Sequence, residues 1–144
     1  MTSRTVFLVR NGKVEQPDNQ RRYIGQIDWP LSEAGREQSR ILQKLLKKTD
    51  IEMVYSSDLA RSQQTAQIIA GNKDTNIAAL KDFREIALGE WEGRSFAEIA
   101  HRFPNEFRAR ALDIAYYCTP GGESFSECGQ RVLKMFRAIL AKTT

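Results

Sequence analysis

The stretch Thr5-Val6-Phe7-Leu8-Val9-Arg10-Asn11-Gly12 decides how this chain is read. Four consecutive apolar residues run straight into an arginine, an amide and a glycine. A short apolar run bounded by glycine has the pattern of a fully buried strand inside a parallel sheet. Sheets of that kind hold ligands just past the carboxyl ends of their strands. Arg10, Asn11 and Gly12 are therefore expected at a binding edge. They bring a permanent positive charge and a glycine that lets an anion approach the backbone. Taken alone, the same eight residues also fit an ordinary strand with a polar exit.

Outward from this stretch, Lys13 to Pro30 is a long polar loop, and loops of that length are usually functional. Ser32 suits an N-cap, and Ala34, Ile41, Leu42, Leu45 and Leu46 recur at helical spacing, which predicts a helix over Glu33–Lys48. Ile51–Tyr55 reads as a second strand. Ser56-Ser57-Asp58 then forms a capping cluster for a helix from Leu59 to Ala70, ended by Gly71. A weaker strand is expected over Asn76–Leu80, followed by helices over Phe96–Phe103, Pro104–Ile114 and Ser124–Lys142. Strand and helix alternate through the first half, the pattern of a parallel sheet with helices on its faces. The expectation is one α/β domain over residues 1–144, a three-layer sandwich around a mostly parallel central sheet. The alternation also promises a strand after the last helix, where the chain reaches Lys142-Thr143-Thr144.

Composition narrows the function classes. At 144 residues with 41% apolar and 28% charged residues, the chain suits a globular domain rather than a disordered or fibrous one. The formal net charge of +4 favours anionic partners, but without a block of consecutive basic residues it does not suggest nucleic acid. Cys118 and Cys128 are read as free thiols in a reducing compartment. No apolar run approaches membrane-spanning length, so a cytoplasmic protein without membrane association is expected.

The chemistry shows first as a repeated pattern. One strand exits into Arg10, and the next exits through Ser56-Ser57-Asp58 to Arg61 in the first turn of a helix. Both arginines are expected at one sheet edge, and Arg61 sits where helix N–H groups already favour an anion. Two guanidinium groups converging on one spot suit a phosphate, since each can bind two oxygens in parallel. Glu85, after the third strand, would reach the same edge, and a carboxylate beside a phosphate site is suited to proton transfer. Solvated surface roles for Arg61 and Glu85 are the competing readings.

These residues sit in longer matches. Leu8-Val9-Arg10-Asn11-Gly12 with Tyr23-Ile24-Gly25-Gln26-Ile27-Asp28-Trp29-Pro30-Leu31-Ser32 resembles the histidine phosphatase superfamily, which includes the cofactor-dependent phosphoglycerate mutases. Tyr55-Ser56-Ser57-Asp58-Leu59-Ala60-Arg61-Ser62 with Gln64-Thr65-Ala66 looks like its second signature. Glu85 with Gly89-Glu90-Trp91-Glu92-Gly93 looks like its third, and Gly121-Gly122-Glu123-Ser124 its fourth. The matches follow family order across nearly the whole chain, and the wording around Arg22-Tyr23-Ile24-Gly25 is nearest to the α-ribazole phosphatases. The resemblance implies phosphomonoester hydrolysis through a phosphohistidine. Arg10 and Arg61 would neutralise the phosphate, Glu85 would protonate the leaving oxygen, and Gly12, Tyr23, Ile24 and Gly25 would contact substrate. No cofactor or metal is implied. The partner is a small phosphorylated substrate or inorganic phosphate.

Two family pieces are not matched. The nucleophile position is Asn11, and the late strand bearing a second histidine would lie beyond Thr144. An amide nitrogen's lone pair is delocalised into its carbonyl, so Asn11 cannot accept a phosphoryl group as imidazole does, although it can hydrogen-bond a phosphate oxygen. The sole histidine, His101, lies on a helix with Phe96, Ile99 and Phe103 and is given no role. The expectation is a phosphatase without turnover in this form, with a non-catalytic pseudophosphatase as the alternative. In the family the late strand lies beside strand one, so an exposed apolar edge and self-association, as a homodimer for instance, are expected. Rival motifs fail: there is no P-loop, no dinucleotide fingerprint and no clustered metal-ligand set.

Overall fold

The computed structural model describes residues 4–71 and 75–142. It is an α/β structure with a small parallel sheet. Strand β1 (Met53–Ser56) pairs in parallel with β2 (Asn76–Ala79), with Met53 opposite Asn76 and Ser56 opposite Ala79. The helices are α1 (Glu33–Leu45), α2 (Ala60–Ala70), α3 (Phe96–Arg102), α4 (Pro104–Leu112) and α5 (Phe125–Lys142). Helix α2 crosses between the two strands and packs against both, and α1 packs on α2.

Local rules explain most of the boundaries. Ser32 caps α1, its hydroxyl accepting the Gly35 N–H at 3.1 Å. Ser95 caps α3 in the same way from Glu98 at 3.0 Å, and Pro104 opens α4. Gly71 ends α2 with φ of 59°, in the left-handed region that favours glycine. The expected capping of α2 by Ser56-Ser57-Asp58 is corrected. Its N-cap is Leu59, which has no side-chain acceptor, and the Ala60 N–H is instead taken at 2.7 Å by Asp28 from the long loop.

The larger correction concerns the opening stretch. Thr5–Val9 is not a strand, and it is not buried: Leu8 is 87% exposed, Val6 and Phe7 50%. A strand is created by its ladder partners, and among the described residues only β1 and β2 form a sheet. The three-layer sandwich around a central sheet is accordingly reduced to a two-stranded sheet with helices. Met53 and Ile77, one on each strand of that sheet, are also more than a third exposed.

The principal core lies away from the sheet. Tyr23, Ile86, Leu88, Trp91, Ile99 and Cys128 form it, with Phe96, Phe103, Phe107, Tyr117 and Val132 packed around them. Tyr23 stacks on Phe96 with ring centres 4.0 Å apart and meets Trp91 at 5.0 Å. Because Tyr23 belongs to the long loop, this core anchors the loop to α3, α4 and α5. Two bridges finish the anchoring, Val14 with Leu31 and Arg22 with Ser95.

Among the described residues no helix is long and apolar enough to cross a membrane. Both cysteines are free, Cys118 exposed and Cys128 buried.

Candidate phosphate cleft

Four segments distant in sequence converge on one cleft of about 280 Å³. Val9, Arg10 and Asn11 come from the opening stretch, and Ser57, Leu59, Arg61 and Ser62 from the β1 exit and first turn of α2. Phe83, Arg84 and Glu85 follow β2, and Cys128 and Val132 lie on α5. Arg10, Arg61 and Glu85 are therefore brought together as the sequence predicts, although the opening stretch contributes as irregular chain rather than as a strand.

Arg61 is the buried member, 4% exposed. One Nη donates to the Ile27 carbonyl at 2.8 Å and the other to the Gly25 carbonyl, which leaves further N–H groups of its five unassigned. Its surface reading is thereby excluded. Burial pulls the guanidinium below its ordinary pKa, with the Glu85, Asp28 and Glu92 carboxylates opposing the shift from a distance. It stays charged, and among the described residues no carboxylate forms an ion pair with it.

Arg10 is exposed, and none of its side-chain atoms has a hydrogen-bond or ion-pair partner among the described residues. Asn11 is half-buried, its Nδ2 donating to the Gly12 carbonyl at 2.9 Å. The Gly12 N–H donates at 3.2 Å to the Thr65 hydroxyl, which donates at 2.8 Å to the Arg61 carbonyl, so Thr65 links position 11 to the α2 turn that carries Arg61. Gly12 is glycine for a steric reason: a Cβ there would run into the backbone of Gly35 at the start of α1.

The remaining predicted contacts divide. Gly25 reaches the site through its backbone, by accepting from Arg61. Tyr23 is spent in the aromatic core, and neither it nor the half-buried Ile24 lines the cleft. His101 is exposed on α3 and stays outside the site. Among the described residues no group of three or more metal-ligating side chains comes together.

Glu92 lies in the Gly89-Glu90-Trp91-Glu92-Gly93 motif, where the sequence assigns it no role. Its carboxylate accepts four backbone N–H groups: Gly25 (3.1 Å) and Ile27 (3.2 Å) on one oxygen, Gln26 (2.6 Å) and Leu88 (3.1 Å) on the other. Segment 25–27 is thus held by Glu92 through its N–H groups and by Arg61 through its carbonyls. In Glu92→Gln, whichever way the amide turns, its NH₂ faces two N–H donors. We expect that variant to lose about 2–4 kcal/mol in urea unfolding, the scale of charge-assisted hydrogen bonds lost with donors stranded. An unchanged midpoint would refute this role for Glu92.

Arg84 and Asp58 form a second fixed feature at the rim, paired through both oxygens at 2.6 Å. The Arg84 hydrogen bonds hold the Asp58 carboxyl below its ordinary pKa. A carboxyl depressed on folding contributes stability above its unfolded pKa of about 3.9 and loses it as pH falls through the folded value. Asp58→Asn should therefore flatten the acid limb of the stability–pH curve below about pH 4, and identical acid limbs would refute it. The pair is solvent-screened, so the effect is small.

The model of the histidine phosphatase superfamily (branch 1) matches residues 6–144. A relative from Serratia proteamaculans named as a probable phosphoglycerate mutase is 34% identical over 136 residues, covering 94% of this chain and 62% of the relative. The crystal structure of the α-ribazole phosphatase from Shigella flexneri superposes with a TM-score of 0.84 at 25% identity, over 93% of this chain and 65% of that one. A mycobacterial glucosyl-3-phosphoglycerate phosphatase, solved in complex with inorganic phosphate, gives 0.80 at 28% identity, over 92% and 61%. The chain thus spans under two thirds of the length of these relatives. Its motifs, its fold and the family match agree, and the chain belongs to the histidine phosphatase superfamily.

Proposed function

We propose that the cleft is the phosphate site of a phosphomonoester phosphatase framework, α-ribazole phosphatase-like, forming one domain in a reducing cytoplasm. In this form of the chain it binds phosphate without transferring it. The observation that carries the reading is Arg61: a buried cation without a carboxylate partner, opening on a cleft that Arg10 also lines with a free guanidinium. A buried charge is costly unless paired, and a phosphoryl dianion supplies the missing counter-charge to both arginines at once. The phosphate complex of the mycobacterial relative supports the same ligand chemistry. Glu85, exposed at the rim, is suited to hand a proton to a leaving oxygen. Asn11 stands where the family has its nucleophilic histidine, and its amide can orient a phosphate oxygen but cannot form the covalent intermediate. The alternative is a natural pseudophosphatase that holds a phosphorylated small molecule or protein, and Asn11 with an intact cradle favours it equally.

Calorimetric titration with inorganic phosphate tests the common part of both readings. Saturable binding with a dissociation constant of about 1 mM or tighter is expected. No heat from a folded sample would overturn the proposal.

The exposed segment 6–9 gives a further expected result. Four contiguous apolar residues, whose backbone has no hydrogen-bond partner among the described residues, offer an edge that recruits another chain. The chain should self-associate in light scattering, and Leu8→Lys should shift it toward monomer. A monodisperse monomer before substitution would refute this.

A further inference from the structure

Glu85 stands at the cleft on irregular backbone, since residues 84–88 belong neither to β2 nor to the turn that follows. Irregular chain keeps a side chain in place only where its backbone polar groups are tied. Here one side chain ties the carbonyls on both sides of the Glu85 N–H and that of Asp82, while Gln26 adds a bond to the Glu85 carbonyl at 3.1 Å and the Glu85 carboxylate takes the Ile86 N–H at 2.9 Å. Arg131, half-buried on α5, donates from Nη1 to the carbonyls of Asp82 at 2.7 Å and Arg84 at 3.1 Å. Its Nη2 donates to the Glu85 carbonyl at 3.4 Å. The same guanidinium pairs with Glu123, through Nε at 3.3 Å and through Nη2.

Glu123 grips the other end of the segment. Its carboxylate accepts the Ala87 N–H at 3.0 Å, and its own N–H donates to the Ala87 carbonyl at 2.9 Å. One ion pair therefore holds residues 82–87 from both sides of Glu85. Only a planar fork with several donors can serve three carbonyls and a carboxylate together; a lysine ammonium reaches fewer. Helix α5, which carries Arg131, also supplies Cys128 and Val132 to the cleft wall.

We infer that Arg131, paired with Glu123, is the positioning residue for Glu85: it holds the proposed proton donor at the cleft through the backbone of residues 82–87. The inference rests on the phosphate reading of the cleft for its functional consequence, and on the hydrogen bonds alone for the clamp.

The two parts are tested separately on the folded chain. Amide hydrogen exchange reads the clamp. Arg131→Gln should speed exchange at Ile86 and Ala87 by about tenfold while amides of α1 and α2 keep their protection, with Arg131→Lys intermediate. Unchanged exchange at Ile86 and Ala87 overturns the clamp. Should Arg131→Gln fail to fold, Arg131→Lys carries the same comparison. A double-mutant cycle on inorganic phosphate binding reads the positioning. Arg131→Gln should change the dissociation constant about fivefold with Glu85 present and less than about 1.5-fold in a Glu85→Gln background. Equal changes in both backgrounds mean that Arg131 acts on the fold in general, and they overturn its role toward Glu85. If the unsubstituted chain binds no phosphate, the phosphate reading fails, and the exchange result by itself decides for or against the clamp.

Discussion

Arg61→Met is expected to abolish phosphate binding and to lower the unfolding free energy by about 2–4 kcal/mol. The variant strands two carbonyls, Gly25 and Ile27, that now receive charge-assisted hydrogen bonds inside the molecule. Leaving each unsatisfied costs about 1–3 kcal/mol. Against this, removing a buried cation without an ion-pair partner recovers part of its desolvation cost, so the net loss falls below the sum. The ligand effect does not share that compensation, because the charge that neutralises phosphate is simply gone. Arg61→Lys separates the two: it keeps the charge but cannot span both carbonyls, so binding should be weakened rather than lost. Urea unfolding and phosphate calorimetry on the three chains make the measurement. Retained phosphate affinity in Arg61→Met would refute the cleft as the anion site.

Asn11→His should convert a silent chain into one that takes up phosphate covalently. As it stands, the chain is expected to show no phosphoryl transfer above buffer, because the amide nitrogen at position 11 has its lone pair delocalised into the carbonyl and cannot attack phosphorus as an imidazole nitrogen does. With imidazole there, a reactive donor such as acetyl phosphate should label the chain to about one acid-labile phosphoryl group per molecule. Arg10→Ala in the same background should remove the label, since the exposed guanidinium lining the cleft is the charge that would gather the phosphoryl oxygens. Full turnover is not required for this result; a trapped phosphohistidine suffices. An Asn11→His chain that binds phosphate yet stays unlabelled would refute the assignment of position 11, and labelling of the unsubstituted chain would refute the account of the amide.

The elements that the sequence named well are those with local causes. Ser32, Ser95, Pro104 and Gly71 set helix ends through bonds or dihedral limits within a few residues of themselves, so α1 to α4 fall close to their expected spans. The motif residues Arg10, Arg61 and Glu85 were legible because each sits beside a turn between elements. The readings that failed had non-local causes. Val6-Phe7-Leu8-Val9 has the composition of a buried strand, but burial needs neighbours on both edges, and composition does not supply them. Tyr23 looked like a substrate contact in its motif, while its ring is claimed by Phe96 and Trp91.

Residue order by itself determined the family, the helix ends other than the start of α2, and the identity of the three groups that meet at the cleft. It also determined the chemical fact that matters most, an amide where a nucleophile is expected, because that depends on one side chain and not on its surroundings. Tertiary structure alone decided which side chains hold the site in shape. Glu92 reaches back to residues 25–27, Asp28 reaches forward to Ala60, and Arg131 reaches back to residues 82–85. Such bonds close over tens of residues, and a polar side chain carries no periodicity or spacing that announces the distant backbone it will satisfy.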